Sequence, residues 1–336
     1  MYHKRFQGNH YKIGFQWGSL LAKHGNLILD HIPFPITEER IQFAQQCKPV
    51  YQEYFPQVLE EIQGIADGQG CSAEYLQAVL FSMYAMPPAR CCSCFAVSNG
   101  EHILLGRNSD FLIALEKNNA NVIYRFSSDS YAFTGNTTAF VQMEDGVNEK
   151  GLAIGLTSVD PPSIQPGMNA GLLLRFFLER CQTTEEVLRW VEKLPISSAQ
   201  TFTIADAHGN IAVLECFADG LQVIQPKKGR PYVCATNLFH SEKLASKNRP
   251  DVDTWEAEPR YQTMVRRLKR HASLMDLDEA KDLLAGKNGF LCQYDRKTGK
   301  DTVWSVIYAL KERRIYRAEG NPARRGFKED RRFFFH

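Results

Sequence analysis

The strongest constraint on what this chain can fold into is a change of texture at Pro87 and Pro88. From Tyr11 to about Met86 the pattern is helical: Val58, Ile62 and Ile65 recur at helical spacing, Ser72 is placed as an N-cap, and residues 74–86 continue in the same manner. Two consecutive prolines end it, because proline lacks the backbone donor and the residue before a proline is pushed out of helical dihedrals. Beyond them the chain reads as short strands. Residues 92–97, a turn at Asn99-Gly100 and residues 102–105 predict a β-hairpin. Alternation along its first strand puts Cys92, Cys94 and Ala96 on one face and Ser93, Phe95 and Val97 on the other.

Further strands are predicted over 121–126, 139–143, 152–157, 200–205, 211–217, 221–225, 232–235, 302–310 and 314–318. Helices are predicted over 170–180, 184–193, from Pro259 onward and over 276–284. Val187, Leu188, Val191 and Leu194 supply the apolar stripe of one helix; Tyr261, Met264, Val265 and Leu268 supply that of another. Runs of strands broken by paired helices predict a layered α+β arrangement. The basic, Phe-rich tail is expected to be disordered or to pack as a last edge. The chain divides into a helical N-terminal segment, 1–91, and a strand-rich domain, 92–336.

Charge narrows the partners. Forty Lys and Arg stand against 38 Asp and Glu, a formal charge of +2, too balanced for a dedicated nucleic-acid binder. No stretch of signal-peptide or membrane-span length is apolar throughout, so neither secretion nor a membrane is expected and a cytoplasmic location is. Nine cysteines without a secretory context read mostly as reduced, buried side chains. Neither a Walker loop nor a dinucleotide fingerprint is present, so no cofactor is expected. His208 in Ala-His-Gly-Asn reads as a hairpin turn. A zinc site from Cys91, Cys92, Cys94 and His102 lacks a second cysteine pair.

The cluster Cys91-Cys92-Ser93-Cys94-Phe95-Ala96-Val97, followed through the hairpin by Gly106-Arg107-Asn108-Ser109-Asp110-Phe111, resembles the nucleophile strand and Gly-Arg-Asn-x-Asp segment of the cysteine N-terminal-nucleophile hydrolases. Residues 145–156 resemble that superfamily's Asn-Glu-x-Gly-Leu stretch, Ala235-Thr236-Asn237 its Thr-Asn motif, 206–210 the turn between two central strands, Pro259-Arg260-Tyr261 the start of a late helix, and 304–310 a late strand. The long segment ahead of Cys92 is most similar to that of the acyl-coenzyme A:6-aminopenicillanic acid acyltransferases. The bile salt hydrolases and penicillin V acylases are more distant.

The resemblance implies a four-layer αββα sandwich and a precursor that cuts itself between Cys91 and Cys92, its N-terminal segment staying bound as a subunit. Cys92 would then be the nucleophile and its own α-amine, with a pKa of about 8, the base. Asp110 would accept a hydrogen bond from that amine, Arg107 and Arg260 would favour the thiolate, and Asn237 with a backbone N–H near Thr157 would hold the oxyanion. The reaction implied is hydrolysis of a linear amide, or acyl transfer from a small amide or acyl-thioester such as an acyl-coenzyme A. A homo-oligomer is left open. Two positions depart from the relatives: Cys91 stands where the acyltransferases carry glycine, and Thr157 where bile salt hydrolases carry asparagine. The rival readings are a redox or metal-binding protein using the Cys91–Cys94 cluster and an inactive relative kept as a binding module.

Overall fold

The structure is a computed structural model that describes residues 1–86, 91–127 and 129–335. The first segment holds β1 (Tyr2–Gly8), α1 (His10–Lys23), α2 (Glu38–Tyr54), α3 (Pro56–Gln69) and α4 (Ala73–Ser82). Local chemistry sets these boundaries: the Asn9 and Thr37 side chains accept from backbone N–H groups of α1 and α2, Pro56 opens α3, and Gly70 closes it in the left-handed conformation (φ 67°). Pro87 and Pro88, the predicted helix stop, lie outside the described residues.

Next come β2 (Cys91–Ser98), β3 (Ile103–Leu112), β4 (Ala120–Phe126), β5 (Phe133–Thr137), β6 (Asp145–Asn148), β7 (Ala153–Val159), α5 (Ala170–Arg180) and α6 (Thr184–Val191). The chain closes with β8 (Ala199–Ala205), β9 (Ile211–Phe217), β10 (Gly220–Ile224), β11 (Tyr232–Ala235), α7 (Ala257–His271), α8 (Leu277–Leu284), β12 (Lys300–Ala309), β13 (Arg314–Ala318) and β14 (Lys328–Glu329). Strands β1-β4-β5-β6-β7-β8-β9-β10 form one sheet and β11-β2-β3-β12-β13-β14 the other. One core joins α1 to α5 to the larger sheet, a second lies between the sheets, and a third joins the smaller sheet to α7 and α8. The order of layers is helix, sheet, sheet, helix, the expected αββα sandwich.

Besides β5 and β6, which the sequence pattern does not predict, three elements differ from expectation. Residues 139–143 are not a strand: Phe140 takes φ 56°, Gln142 Nε2 donates to Leu80 O, and Val141 O accepts from Arg175 Nη1, so this apolar run is tied to helices and not to a ladder. The N-terminal segment is not helical throughout, because β1 pairs in parallel with β4. Only Phe6 of β1 is buried, so its pattern carries little hydrophobic signal and pairing with a distant strand decides it. Finally, β3 runs to Leu112 and does not stop at residue 105. Its polar stretch from Arg107 to Asp110 stays in the sheet because those side chains find buried partners. Among the described residues no helix is long and apolar enough to cross a membrane.

Candidate active site

The β2–β3 hairpin is the frame of the site. Its antiparallel register sets Cys91 opposite Asp110, Cys92 opposite Ser109 and Cys94 opposite Arg107. Alternation then separates two environments, as predicted: Cys94 and Ala96 join the core between the sheets, while Phe95 and Val97 pack under α7 and α8.

On the face between the sheets, Arg107 Nη2 donates to Cys92 Sγ at 2.8 Å. The guanidinium is fully buried and every arm is engaged. Its Nη1 meets Asp145 Oδ2 at 2.9 Å, its Nε donates to Leu156 O at 2.9 Å, and its Nη2 also lies 3.4 Å from Glu144 Oε2. Asp145 is equally saturated, accepting from Trp304 Nε1 (2.9 Å), the Tyr308 hydroxyl (2.7 Å) and Asn136 Nδ2 (2.5 Å). A buried ion pair is tolerable only when its remaining lone pairs are satisfied in this way. Gly155 makes room for the arrangement: a Cβ there would stand 2.5 Å from Cys94 Sγ and 3.2 Å from Arg107 Cδ. Glu144 bridges outward, accepting from Ser109 Oγ (3.3 Å) and Thr138 Oγ1 (2.8 Å).

On the other face Arg260 holds the main chain. Its Nη1 donates to Cys92 O (2.5 Å) and Ser93 Oγ (2.9 Å), and its Nη2 donates to Asn237 Oδ1 and Thr254 O (3.0 Å each). The turn before α7 passes through the left-handed region at Trp255 (φ 50°) and Glu256 (φ 60°), a costly conformation for such residues. It aims Trp255 O at Arg260 Nε, 3.0 Å away. Asn237 Oδ1 accepts from the backbone N–H of Cys92 (2.8 Å), while Asn237 Nδ2 donates to Ser158 O (2.7 Å). Asp110 accepts from Thr302 Oγ1 (2.6 Å) and the Tyr294 hydroxyl (3.1 Å), and lies 3.5 Å from Arg260 Nη1.

Cys92, Arg107, Asp110, Asn237 and Arg260 therefore converge from four separated stretches of chain, with distinct positions. Arg107 is the cation at the sulfur. Arg260 sits on the carbonyl of Cys92 and reaches the sulfur only through space. Thr157 uses its hydroxyl on Thr236 O and Thr201 Oγ1. The Cys91 thiol is directed at Thr254 O, 3.4 Å away. Sequence reading did not single out Glu144, Asp145, Ser109, Tyr294 or Thr302. The signal for the acidic pair was the placement of Glu144-Asp145 at the mouth of an otherwise uncharged strand, since a carboxylate entering a core needs a cation there.

Burial pushes the Cys92 thiol up to about 11; Arg107 pulls it down and Glu144 opposes that pull. Burial likewise raises Asp110 to about 6, against the downward pull of Arg260. At neutral pH the sulfur is thus a thiol, beside a cation able to stabilise its ionised form. A pocket of about 170 Å³ adjoins the site, lined by Ser158, Asn237, Arg249, Asp253 and Thr254. His208 lies in the β8–β9 turn, where its backbone N–H donates to Asp206 Oδ1, and the His102 ring meets Glu312. Among the described residues no group of three or more His, Cys, Asp or Glu side chains is placed to hold a metal ion.

Two facing sheets between helical layers, with a cysteine on the inner strand pair and an arginine at its sulfur, define a sandwich of the cysteine N-terminal-nucleophile hydrolase superfamily. The chain belongs to the acyl-coenzyme A:6-aminopenicillanic acid acyl-transferase family, whose sequence pattern matches residues 97–324. That match begins five residues after Cys92. Among solved structures it is similar to a Caenorhabditis elegans N-acylethanolamine-hydrolyzing acid amidase ortholog (15% identity, 66% of this chain and 93% of that one, TM-score 0.49). It is also similar to a mutant conjugated bile acid hydrolase from Clostridium perfringens (15%, 73% and 98%, 0.45) and to penicillin V acylase from Agrobacterium tumefaciens (13%, 68% and 82%, 0.41).

Proposed function

We propose that the protein is a self-processing amidohydrolase or acyltransferase in which Cys92 attacks a linear amide or acyl-thioester. The observation that carries this reading is that the two reactive atoms of one residue have separate holders. Arg107 Nη2 stands 2.8 Å from Cys92 Sγ, and Asn237 Oδ1 stands 2.8 Å from Cys92 N. In the first reaction Sγ attacks the Cys91 carbonyl carbon, a C–S bond forms, the Cys91–Cys92 C–N bond breaks, and the nitrogen leaves as an amine after taking a proton. Water then opens the thioester, leaving a Cys91 carboxylate and a free Cys92 thiol.

In the second reaction the new α-amine accepts the thiol proton. The sulfur takes the substrate's acyl group, the amine or thiol portion of the substrate leaves with a proton, and water or an acceptor amine resolves the acyl-enzyme. Asn237, already beside the nitrogen, would turn its amide donor to the oxyanion once Cys92 N is freed, and Asp110 would hold the resulting ammonium.

Intact-mass analysis tests the reading. Wild type is expected as two fragments divided between Cys91 and Cys92, the larger one gaining one acyl mass on brief exposure to an amide substrate. Cys92→Ala is expected as a single full-length chain that gains none. A full-length wild-type chain that turns over amides, or an acyl mass borne by another cysteine, would overturn it.

A further inference from the structure

The basic, Phe-rich end of the chain packs as an edge. β14 pairs with β13, and Phe333 and Phe335 enter the core between the sheets while Phe334 stays exposed. That alternation brings two charged side chains, Asp330 and Arg332, to the inner polar layer of the sandwich. Arg317 of β13 donates to Asp330 Oδ2 from Nη2 (3.2 Å) and Nε (3.3 Å). Arg332 donates to both oxygens of the same carboxylate, from Nε to Oδ1 (2.7 Å) and from Nη2 to Oδ2 (2.5 Å). Arg317 and Asp330 are nearly closed to solvent, so each depends on the other for its charge balance.

From this group two routes converge on one amide. Arg317 Nη1 donates to Asn136 Oδ1 (2.5 Å). Arg332 Nη2 donates to Asn121 Oδ1 (3.0 Å), and Asn121 Nδ2 donates to the same Asn136 Oδ1 (3.0 Å). Both asparagines are buried. A side-chain amide has an acceptor end and a donor end, and its neighbours decide which way it points. Here the donors of Arg317 and Asn121 claim the oxygen of Asn136, so its Nδ2 turns to Asp145 Oδ1 (2.5 Å). Asp145 Oδ2 then holds Arg107 Nη1, and Arg107 Nη2 meets Cys92 Sγ. Trp304 and Tyr308 also donate to Asp145, so the carboxylate keeps partners if Asn136 turns round. An amide oxygen would then face a carboxylate oxygen in a buried contact, where repulsion is strong, and Asp145 would be pushed from its place under Arg107.

We propose that Asp330, Arg332 and Arg317 are positioning residues for the Cys92 sulfur: the C-terminal tail fixes the Asn136 amide, the amide fixes Asp145, and Asp145 fixes Arg107. None of the three touches Cys92. The proposal rests on the reading of Cys92 as the reacting group and gives the tail a part in activating it. The charged groups that act on the Cys92 thiol are Arg107, Glu144, Asp110 and Arg260. Arg260 is held on the main chain, so a displaced Arg107 leaves two carboxylates to oppose the thiolate.

The test follows alkylation of Cys92 by iodoacetamide, read by peptide mass from about pH 7 to about pH 10, on either side of the free thiol's ordinary value. Wild type is compared with Asp330→Ala, Asp330→Glu and Phe335→Ala, each after thermal melting establishes a folded protein. Asp330→Ala is expected to slow the labelling about threefold to thirtyfold, the span of coupling carried through packed networks, and to move the profile to higher pH. On an amide substrate its kcat should fall with KM unchanged. Asp330→Glu keeps the charge and should recover most of the rate. Phe335→Ala removes packing and leaves the charged link, so the melting temperature should drop with the profile unmoved. A wild-type profile in Asp330→Ala, or an equal shift in Phe335→Ala, overturns the proposal. If Asp330→Ala does not fold, Arg332→Gln replaces it at a partly exposed position, with the same two outcomes. Labelling reports the coupling whether or not the chain is cut. A Cys92 that is alkylated yet forms no acyl-enzyme defeats the reading above, and the profile still decides the role of the tail.

Discussion

Cys92 alone does not make a reactive centre. Its thiol is buried at 4% exposure and pushed up to about 11, so its reactivity depends on Arg107. Arg107→Met should abolish labelling of Cys92 by acyl electrophiles. It should also destabilise the fold by about 3–5 kcal/mol in urea titrations, because Asp145 is left as a buried charge without its cation. Cys94→Ala, one turn of the pleat away, should keep both processing and labelling. Asp110 gives a pH signature. Its value in the fold is about 6 against 3.8 for the free side chain, so folding takes up a proton between those values. The stability this carboxyl contributes is therefore greatest below the lower value and declines as pH rises through the upper one. Asp110→Asn should flatten that decline in urea midpoints measured across the interval.

Among elements, the β2–β3 hairpin was the most legible. Counting inward from the turn at Asn99 and His102 leads residue by residue to Ser109 opposite Cys92 and Arg107 opposite Cys94. The turn position thus predicts which side chains share the face of Cys92. The N-terminal helices were legible as helices but not in their packing. A Cβ on Gly14 would stand 2.0 Å from Glu61 O, and one on Gly64 would stand 2.1 Å from Tyr11 O, so α1 and α3 meet backbone to backbone, and α1 must shift if either residue grows. Gly64→Ala should cost about 1–3 kcal/mol by thermal melting, as overpacked cores do. Residues 139–143 misled because an apolar run has the same composition whether it anchors to a sheet or to helices.

For the whole molecule the question is what holds residues 1–91 to the body, a hold that the cut proposed above would leave as the sole link. β1 completes the edge of the larger sheet by pairing with β4, and a dry ion cluster crosses the same interface. Arg175 of α5 pairs with Glu61 of α3 at 2.6 Å and with Glu179, and His10 of α1 meets Glu179 at 2.9 Å. Burial pushes the Glu179 carboxyl up, but Arg175 and then His10 outweigh it and hold it at about 2. Arg175→Met would leave Glu61 and Glu179 facing each other across an apolar core. The cut segment should then separate from the body on gel filtration at neutral pH, whereas wild type should elute as one particle.

The sequence by itself determined most of the helices and strands, that Cys92 and Cys94 share a face, and the order of the motifs, because these follow from local periodicity and from turns that fix register over a few residues. Only the tertiary structure decided that β1 joins a distant strand, that Arg107 and not Arg260 reaches the sulfur, that Asp145 and Glu144 tune that arginine, and that the C-terminal tail meets the same network. Each depends on the meeting of surfaces tens of residues apart in the chain, where burial makes a charge costly and dictates its partner. Local pattern carries no record of such distances.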